Sequence, residues 1–260
     1  MAVMSKFLVV TLLVLLGLCA APIGSAADGL VIGTGEYPPY TTEAMRDGGV
    51  STHIARRVFE VAGHKVRFVF LPWARVEALT ERAGLDAALP YVYTPERDRV
   101  FLYSDAFVTF TSHFFFRNGE GVTQSDWTSF HGKGYCLPVG HAPDPRLVPL
   151  MQDGVMRREK PGNTADCIRM LLIGRADFLL EDVMVMAWLL RDADPVQRAR
   201  IDHEYAGTPV EDGYLIVSRK HPRADEILSI FNDSLERLRD SGKLPRLVRE
   251  YRARNLPVIV

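Results

Sequence analysis

Residues 66–97 read VRFVFLPWARVEALTERAGLDAALPYVYTPER, and their pattern predicts the architecture of the chain. Residues 66–71 are apolar and rich in valine and phenylalanine, a composition typical of a buried strand. Pro72 suits the first turn of a helix, and the apolar face of that helix begins at Val76. A second short apolar run follows at residues 86–89. This strand, helix, strand order indicates a mainly parallel α/β sheet.

The same alternation extends upstream of this segment. Residues 30–35 form an apolar, β-branched run, and the prolines of the next segment, residues 36–40 (EYPPY), cannot continue a central strand. Between the two predicted strands, Ile54, Val58 and Ala62 recur at helical spacing. We therefore expect an α/β lobe that starts near residue 30.

A second α/β lobe is predicted downstream. The pattern restarts with a strand at residues 134–139, continues through a helix that contains Ile168, and ends in a strand at residues 176–180. Two extended segments, residues 107–117 and 214–218, lie between and after the lobes. Two crossings of this kind would form a hinge.

The domain organisation follows from these elements. We predict that residues 28–112 form the first part of lobe 1 and that residues 113–206 form lobe 2. Residues 207–260 return to lobe 1 and end in amphipathic helices, of which the first contains Ile227 and Phe231.

The N-terminus has the order of a Sec signal peptide. Lys6 precedes an apolar run at residues 7–16, and small residues follow it up to Ala27. We therefore expect cleavage near Ala27, removal of residues 1–27 and a periplasmic protein. Lipidation of Cys19 is the alternative, although Leu18 stands where a lipobox has a small residue.

Composition excludes several classes of partner. The formal net charge is −1, or −2 once Lys6 is removed, and the charged residues are interspersed. This balance does not favour nucleic acid or a membrane surface, and no second apolar run is long enough to span a bilayer. The mature chain, of about 230 residues, is long enough for a substantial core. We expect a monomer without a cofactor.

Removal of the signal peptide leaves two cysteines, Cys136 and Cys167, in a protein addressed to an oxidising compartment. A disulfide is the natural inference, and closing this loop would add about 3 kcal/mol of stability. Two buried free thiols are the alternative. Neither cysteine has a partner at zinc-ligand spacing, so no metal site is expected.

Several short motifs occur in an order that resembles the family 3 extracellular solute-binding proteins, which serve the uptake of polar amino acids. The resemblance covers essentially the whole mature chain. Its motifs are Tyr37-Pro38-Pro39-Tyr40, Pro72-Trp73-Ala74-Arg75, Thr94-Pro95-Glu96-Arg97, Tyr103-Ser104-Asp105, Val139-Gly140, Gly174-Arg175-Ala176-Asp177, Asp182 and Ser241-Gly242-Lys243.

The resemblance implies a type II periplasmic-binding-protein fold, with two α/β lobes, a two-strand hinge and a ligand cleft between the lobes. It also implies a binding protein rather than an enzyme. Such a protein would bind a small polar solute, an amino acid or a related carboxylate, and deliver it to an inner-membrane ABC permease. The Pro-Trp-x-Arg element and the cysteine pair resemble a branch of the family whose ligands are often unassigned.

Arg97 is the candidate partner of a ligand carboxylate, because a planar guanidinium donates two parallel hydrogen bonds. Thr94 would add a hydroxyl or cap the helix that holds Arg97. The alternative is that Arg97 only pairs with Glu96 or Asp98 on a wet surface.

Asp182 is the candidate partner of a ligand ammonium group, by its match to the family's aspartate. Glu181 would take this role if the register were shifted by one residue. The alternative for Asp182 is an N-cap of the helix that follows it. The prediction requires Arg97 and Asp182 to face one cavity.

Four aromatic residues and one arginine complete the first wall of the predicted site. Tyr37, Tyr40, Trp73 and Tyr91 lie at strand ends, where they would enclose the ligand or stack on a cation. Core packing is the alternative for each of them. Arg75, from the Pro-Trp-x-Arg element, is a further candidate contact.

The second wall departs from the family pattern. Gly140 ends the first strand of lobe 2, where free backbone N–H groups would favour an anion. His141 follows it in place of the family's small hydroxyl residue, and would either enter the pocket or point outward. Residues 90–93 (PYVY) stand where amino acid binders often have serines.

Two other functions stay open. Cyclohexadienyl dehydratases resemble these binding proteins, and in such an enzyme Glu36 or Glu181 would act as acid or base. The sequence has no Gly-x-Ser-x-Gly elbow, His-Glu-x-x-His element or phosphate loop. A sensory component without a transport partner is the other alternative.

Overall fold

The structure is a computed structural model that describes residues 29–207 and 211–255. The predicted signal peptide, its cleavage position and Cys19 lie outside the described residues. The described chain forms two β-sheets with helices packed on them, so the predicted α/β class is confirmed.

The strands and helices are numbered here in chain order. The strands are β1 (Leu30–Thr34), β2 (Val66–Phe70), β3 (Ala87–Tyr91), β4 (Phe101–Tyr103), β5 (Val108–Phe110), β6 (Ser112–Arg117), β7 (Gly134–Cys136), β8 (Arg157–Glu159), β9 (Phe178–Asp182), β10 (Ile201–Tyr205) and β11 (Glu211–Ser218). The helices are α1 (Val50–Val61), α2 (Trp73–Glu81), α3 (Pro95–Asp98), α4 (Val148–Gln152), α5 (Thr164–Leu172), α6 (Val183–Leu190), α7 (Pro195–Arg198), α8 (Ala224–Asp240) and α9 (Lys243–Asn255).

The first lobe is built on a six-stranded sheet of order β2-β1-β3-β11-β4, with β5 paired to β11. Strand β1 is parallel to β2 and β3, whereas β11 is antiparallel to β3, β4 and β5. The parallel part corresponds to the predicted strand and helix alternation. The antiparallel strand β11 comes from the end of the chain, after the second lobe.

The second lobe is built on a five-stranded sheet of order β10-β6-β9-β7-β8. Strand β7 is parallel to β8 and β9, and β6 is antiparallel to β9 and β10. The chain enters this lobe at Thr111, between β5 and β6, and returns between β10 and β11. The boundaries 112/113 and 206/207 stay predictions.

Several strands differ from their predicted bounds. The run at residues 107–117 is divided into β5 and β6, because the chain changes sheets at Thr111. The strand predicted at residues 86–89 is β3, which starts after Asp86 and reaches Tyr91. Asp86 lies before it, where its carboxylate accepts a hydrogen bond from the backbone N–H of Val31 at 2.6 Å.

Alternating side chains give each sheet two buried faces. In β6, Phe114 and Phe116 pack on one face, and Phe115 packs on the other. In the first lobe, helices α1, α8 and α9 cover one face, where Phe59 and Phe231 are fully buried. Helix α8 packs on the sheet at β11, and α9 packs on α1 and α8, so the C-terminal helices return to the first lobe.

Cys136 in β7 and Cys167 in α5 form a disulfide, with their Cα atoms 5.6 Å apart, so the predicted pairing is confirmed. Both cysteines are buried between the second sheet and α5. Within residues 29–207 and 211–255, no helix has the length and apolar character needed to cross a bilayer.

Candidate functional site

A cavity of about 820 Å³ lies between the two lobes and opens to solvent. Residues of the first lobe reach it from the ends of β1, β2 and β3, and residues of the second lobe reach it from the ends of β7 and β9. In open α/β sheets, ligands bind outside the carboxyl ends of the strands. The cavity is therefore in the expected position for a ligand site.

Seven of the ten predicted ligand contacts border this cavity, and three do not. Those that border it are Tyr37, Trp73, Tyr91, Thr94, Arg97, Gly140 and His141. Those that do not are Tyr40, Arg75 and Asp182.

Arg97 borders the cavity, but its donors are largely used by the protein. The guanidinium donates to Oε2 of Glu77, from Nε at 3.2 Å and from Nη2 at 3.0 Å. Nη2 also donates to the carbonyl of Gly140 in the second lobe at 3.1 Å, and the guanidinium stacks on the Tyr91 ring. Arg97 thus contacts the opposite lobe and pairs with neither of the acids that flank it, as Glu77 takes their place.

Thr94 caps the short helix that carries Arg97. Its hydroxyl accepts a hydrogen bond from the backbone N–H of Arg97 at 3.2 Å, which caps the short helix α3. The predicted capping role of Thr94 is confirmed.

Glu181 is the buried acid of the cavity. Its Oε1 accepts from the hydroxyl of Tyr37 at 2.6 Å and from the backbone N–H of Asp182 at 2.9 Å. Its Oε2 accepts from the hydroxyl of Thr164 at 2.9 Å. Burial raises the pKa of Glu181 to about 7, and these three hydrogen bonds oppose the rise by stabilising the carboxylate.

Asp182 requires a correction, because its carboxylate faces the backbone and not the cavity. Oδ1 accepts from the N–H groups of Met184 and Val185, at 2.8 and 3.2 Å, and so caps α6. Oδ2 accepts from the N–H of Thr111, where the chain crosses between the sheets, at 2.7 Å. The N–H groups of Met184 and Val185 lie in the first turn of α6, where the helix itself offers no acceptor, so Asp182 has the N-cap role that was the alternative.

Tyr40 and Arg75 also need correction. Tyr40 is 2% exposed and lies beneath the cavity, where it stacks on Tyr37 and packs edge-on against Phe110. It therefore has the core-packing role that was its alternative. Arg75 is exposed on α2. Val76 belongs to the apolar face of that helix and is buried, so the adjacent Arg75 points outward.

An aromatic cluster joins the lobes at one end of the cavity. The ring of His141 lies 5.9 Å from that of Tyr37 and 6.4 Å from that of Trp73, both edge-on. Gly140 has a φ of +86°, and a Cβ there would lie 2.8 Å from the Cβ of Trp73. Only glycine fits this close approach between the lobes.

His141 faces the cavity, which was one of its two predicted orientations. Burial, together with the charges of Arg97 and Arg158, lowers its pKa to about 4. The imidazole is therefore neutral at pH 7.

Four charged residues that were not predicted from the sequence also border the cavity: Glu77, Asp144, Arg158 and Glu211. The spacing of four residues between Trp73 and Glu77 would have placed Glu77 on the same helix face. Arg158 lies in β8, which has no apolar pattern, and no signal in the sequence indicated it. Within the described parts of the chain, no cluster of three or more metal-ligating side chains is present.

Comparisons with known proteins agree with this fold. The chain matches the bacterial extracellular solute-binding proteins, family 3, over residues 30–254. No curated protein matches it at a significant level.

Three solved structures illustrate the similarity of fold. An ancestral arginine-binding protein bound to arginine has a TM-score of 0.71 at 18% identity, and the match covers 86% of this chain and 97% of that one. An amino acid ABC transporter substrate-binding protein from Streptococcus pneumoniae, bound to L-arginine, has a TM-score of 0.69 at 15% identity, with 85% and 93% covered. A histidine kinase sensor domain with similarity to periplasmic binding proteins has a TM-score of 0.71 at 17% identity, with 86% and 96% covered. At these identities the structures show a shared fold, and the family match shows membership: the chain belongs to the bacterial extracellular solute-binding proteins, family 3.

Proposed function

We propose that this protein is a periplasmic solute-binding protein that closes its lobes around a small polar solute and delivers it to an ABC permease of the inner membrane. The solute is an amino acid or a related carboxylate. The main support is the cavity between the lobes, which has guanidinium groups, a buried carboxyl group and aromatic walls. A zwitterion needs a partner for each of its charges when water is excluded.

Within this proposal, Glu181 takes the ammonium group of the solute. Its carboxyl group borders the cavity and lies in the second lobe, and three hydrogen bonds fix its orientation. The sequence offered Glu181 for this role if the register of the motif were shifted by one residue from Asp182. The walls formed by Tyr37, Trp73 and Tyr91 enclose the rest of the solute.

Lobe closure is supported by direct contacts across the cavity. Tyr37 donates to Glu181, and Arg97 donates to the carbonyl of Gly140. Both bonds join the first lobe to the second. A ligand that contacts both lobes favours this closed form by its differential affinity for it.

The proposed partner and location rest on the family and on the predicted signal peptide. Other proteins with this fold include an ABC transporter component and a kinase sensor domain, so a sensor is the alternative partner. A pull-down with the permease encoded beside the gene would distinguish transport from sensing.

The test is a ligand screen by thermal shift, followed by calorimetry. We expect L-arginine, L-glutamine, L-glutamate or another free amino acid to raise the melting temperature in a saturable way, because a ligand bound only by the folded state stabilises it by mass action. Small-angle scattering should show a smaller radius of gyration with that ligand. A flat response to all amino acids and small carboxylates would contradict the proposal.

A second candidate function is an acid–base enzyme on the same scaffold, and Glu181 is the residue that favours it. A carboxyl group with a pKa of about 7 is suited to general acid–base catalysis at neutral pH. Incubation with prephenate or L-arogenate tests this function directly. Product formation that is lost in Glu181→Gln would establish the enzyme, and binding without product would support the binding protein.

A further inference from the structure

Arg158 is a cation at the cavity wall, and no anionic partner for it lies within residues 29–207 and 211–255. It lies in β8, opposite Tyr135 of β7, and its side chain borders the cavity. Its Nε is buried and has no hydrogen-bond partner in the part of the chain that the structure describes, and Nη2 makes a long contact of 3.5 Å with the carbonyl of Leu137. Among the described residues, no carboxylate forms an ion pair with this guanidinium. A buried N–H left without a partner is costly, so the group is prepared for an acceptor that the chain itself does not supply.

Two of the carboxylates that border the cavity, Asp144 and Glu181, already have their own donors. Asp144 is buried and pairs with Arg146, at 2.6 Å between Oδ2 and Nη2. Glu181 accepts from Tyr37 and Thr164. The side chains beside Arg158 on the cavity wall, Tyr135, Leu137 and His141, are uncharged at pH 7. Arg158 is therefore not consumed by an internal ion pair.

Arg97 is in the opposite situation. Its guanidinium donates twice to Glu77 and once to the carbonyl of Gly140. A solute carboxylate that replaced Glu77 would leave that acid without its cation, and one that replaced Gly140 would break a contact between the lobes. Binding at Arg158 has neither of these costs.

We infer that Arg158 binds the anionic group of the solute, a carboxylate, from the second lobe, and that Arg97 is a contact between the lobes. This inference rests on the proposed function, because it names the residue that recognises the solute's carboxylate. It assigns the charges of the solute to two groups of one lobe, Arg158 and Glu181. The solute can then bind the second lobe first and recruit the first lobe by closure.

The experiment compares three glutamine variants. Arg158→Gln removes the proposed anion site. Arg157→Gln is the matched control, since the neighbouring arginine is 63% exposed and pairs with Asp177 instead of facing the cavity. Arg97→Gln removes the contact between the lobes. Circular dichroism checks that each variant folds. If Arg158→Gln does not fold, Arg158→Lys, which keeps the charge, is used in its place.

The probes are L-arginine, agmatine and sodium acetate. Agmatine is arginine without its carboxylate, and acetate is a carboxylate without an amino group. We expect acetate, at constant ionic strength, to stabilise the wild type and Arg157→Gln but not Arg158→Gln. If L-arginine binds, Arg158→Gln should weaken its affinity roughly 10- to 100-fold and leave any affinity for agmatine unchanged.

The outcomes separate this inference from the proposed function. Binding of L-arginine that is unchanged in Arg158→Gln overturns the inference and leaves the proposed function in place. Acetate stabilisation that is lost in Arg158→Gln, without binding of any amino acid, supports the anion site and contradicts the amino acid proposal. Equal acetate responses of the wild type and Arg158→Gln overturn the anion site in either case.

Discussion

The hydroxyl of Tyr37 donates a 2.6 Å hydrogen bond to Oε1 of Glu181 and thereby joins the loop after β1 to the end of β9. The two residues are 144 positions apart in the chain and belong to different lobes. Burial raises the pKa of Tyr37 well above its usual value, so the phenol stays protonated and donates at every relevant pH. This bond connects the ionisation of Glu181 to contact between the lobes.

Tyr37→Phe should raise the pKa of Glu181 above its value of about 7. The hydrogen bond from Tyr37 stabilises the carboxylate, and its loss leaves burial, which favours the neutral acid, less opposed. Carbon-13 NMR of the glutamate carboxyl carbons measures the midpoint, with the signal assigned from Glu181→Gln. A midpoint that stays the same or falls would show that the bond does not form in solution.

Glu181 should make the protein less stable as the pH rises from about 4.5 to about 7. Its pKa is 4.5 in an unfolded chain and about 7 in the fold, so the folded state binds more protons in this window. The stabilisation is complete below the lower value and lost above the upper one. Its size is on the order of 3 kcal/mol. In urea unfolding, the free energy of Glu181→Gln should therefore rise with pH relative to that of the wild type across this window. A difference between the two proteins that does not depend on pH would contradict the assignment.

His141 should have the opposite effect. Its pKa is 6.5 in an unfolded chain and about 4 in the fold, so the unfolded state binds more protons between these values. Its stabilising contribution is present above pH 6.5 and is lost as the pH falls to about 4. The effects of Glu181 and His141 therefore largely cancel in the wild type, whose unfolding free energy should change little across this window. His141→Asn should reveal the decline due to Glu181, and the double variant should restore a flat profile.

Gly140→Ala should favour an open cleft. A methyl group there would meet the Cβ of Trp73 and the backbone N of Ala74, each at 2.8 Å, across the gap between the lobes. The matched control is Gly154→Ala, at a glycine with a φ of +69° and open space around it. Both substitutions should cost about 1 kcal/mol for the left-handed backbone. With ligand bound, only Gly140→Ala should increase the radius of gyration in small-angle scattering, and an equal radius in both variants would exclude the contact.

Glu77→Gln should destabilise the protein by about 1–2 kcal/mol, because it leaves the buried guanidinium of Arg97 without its anion. Asp98→Asn is the control, since the pair between Asp98 and Arg219 is about half exposed on both sides. That change should cost less than about 1 kcal/mol. Chemical denaturation of both variants gives the comparison. Equal losses would mean that solvent screens Arg97 as it does a surface arginine.

Local sequence patterns were sufficient for the class of fold, because strands and helices have periodicities that depend only on nearby residues. The runs at residues 30–35 and 66–71 became β1 and β2 almost unchanged. The pairing of Cys136 with Cys167 followed from their number and from the expected compartment. The order of the motifs was sufficient to predict the family. It was also sufficient to predict that Tyr37, Trp73 and Arg97 lie at the cavity.

The directions and partners of side chains depended on contacts between residues far apart in the chain. Asp182 accepts a hydrogen bond from the N–H of Thr111, 71 positions away, and Glu181 borders the cavity in its place. Arg97 donates to Glu77 and to the carbonyl of Gly140, whereas no acid of the described chain pairs with Arg158. Each of these results is a competition for hydrogen bonds among groups that meet only when the two sheets are in place, so no local periodicity could have predicted it.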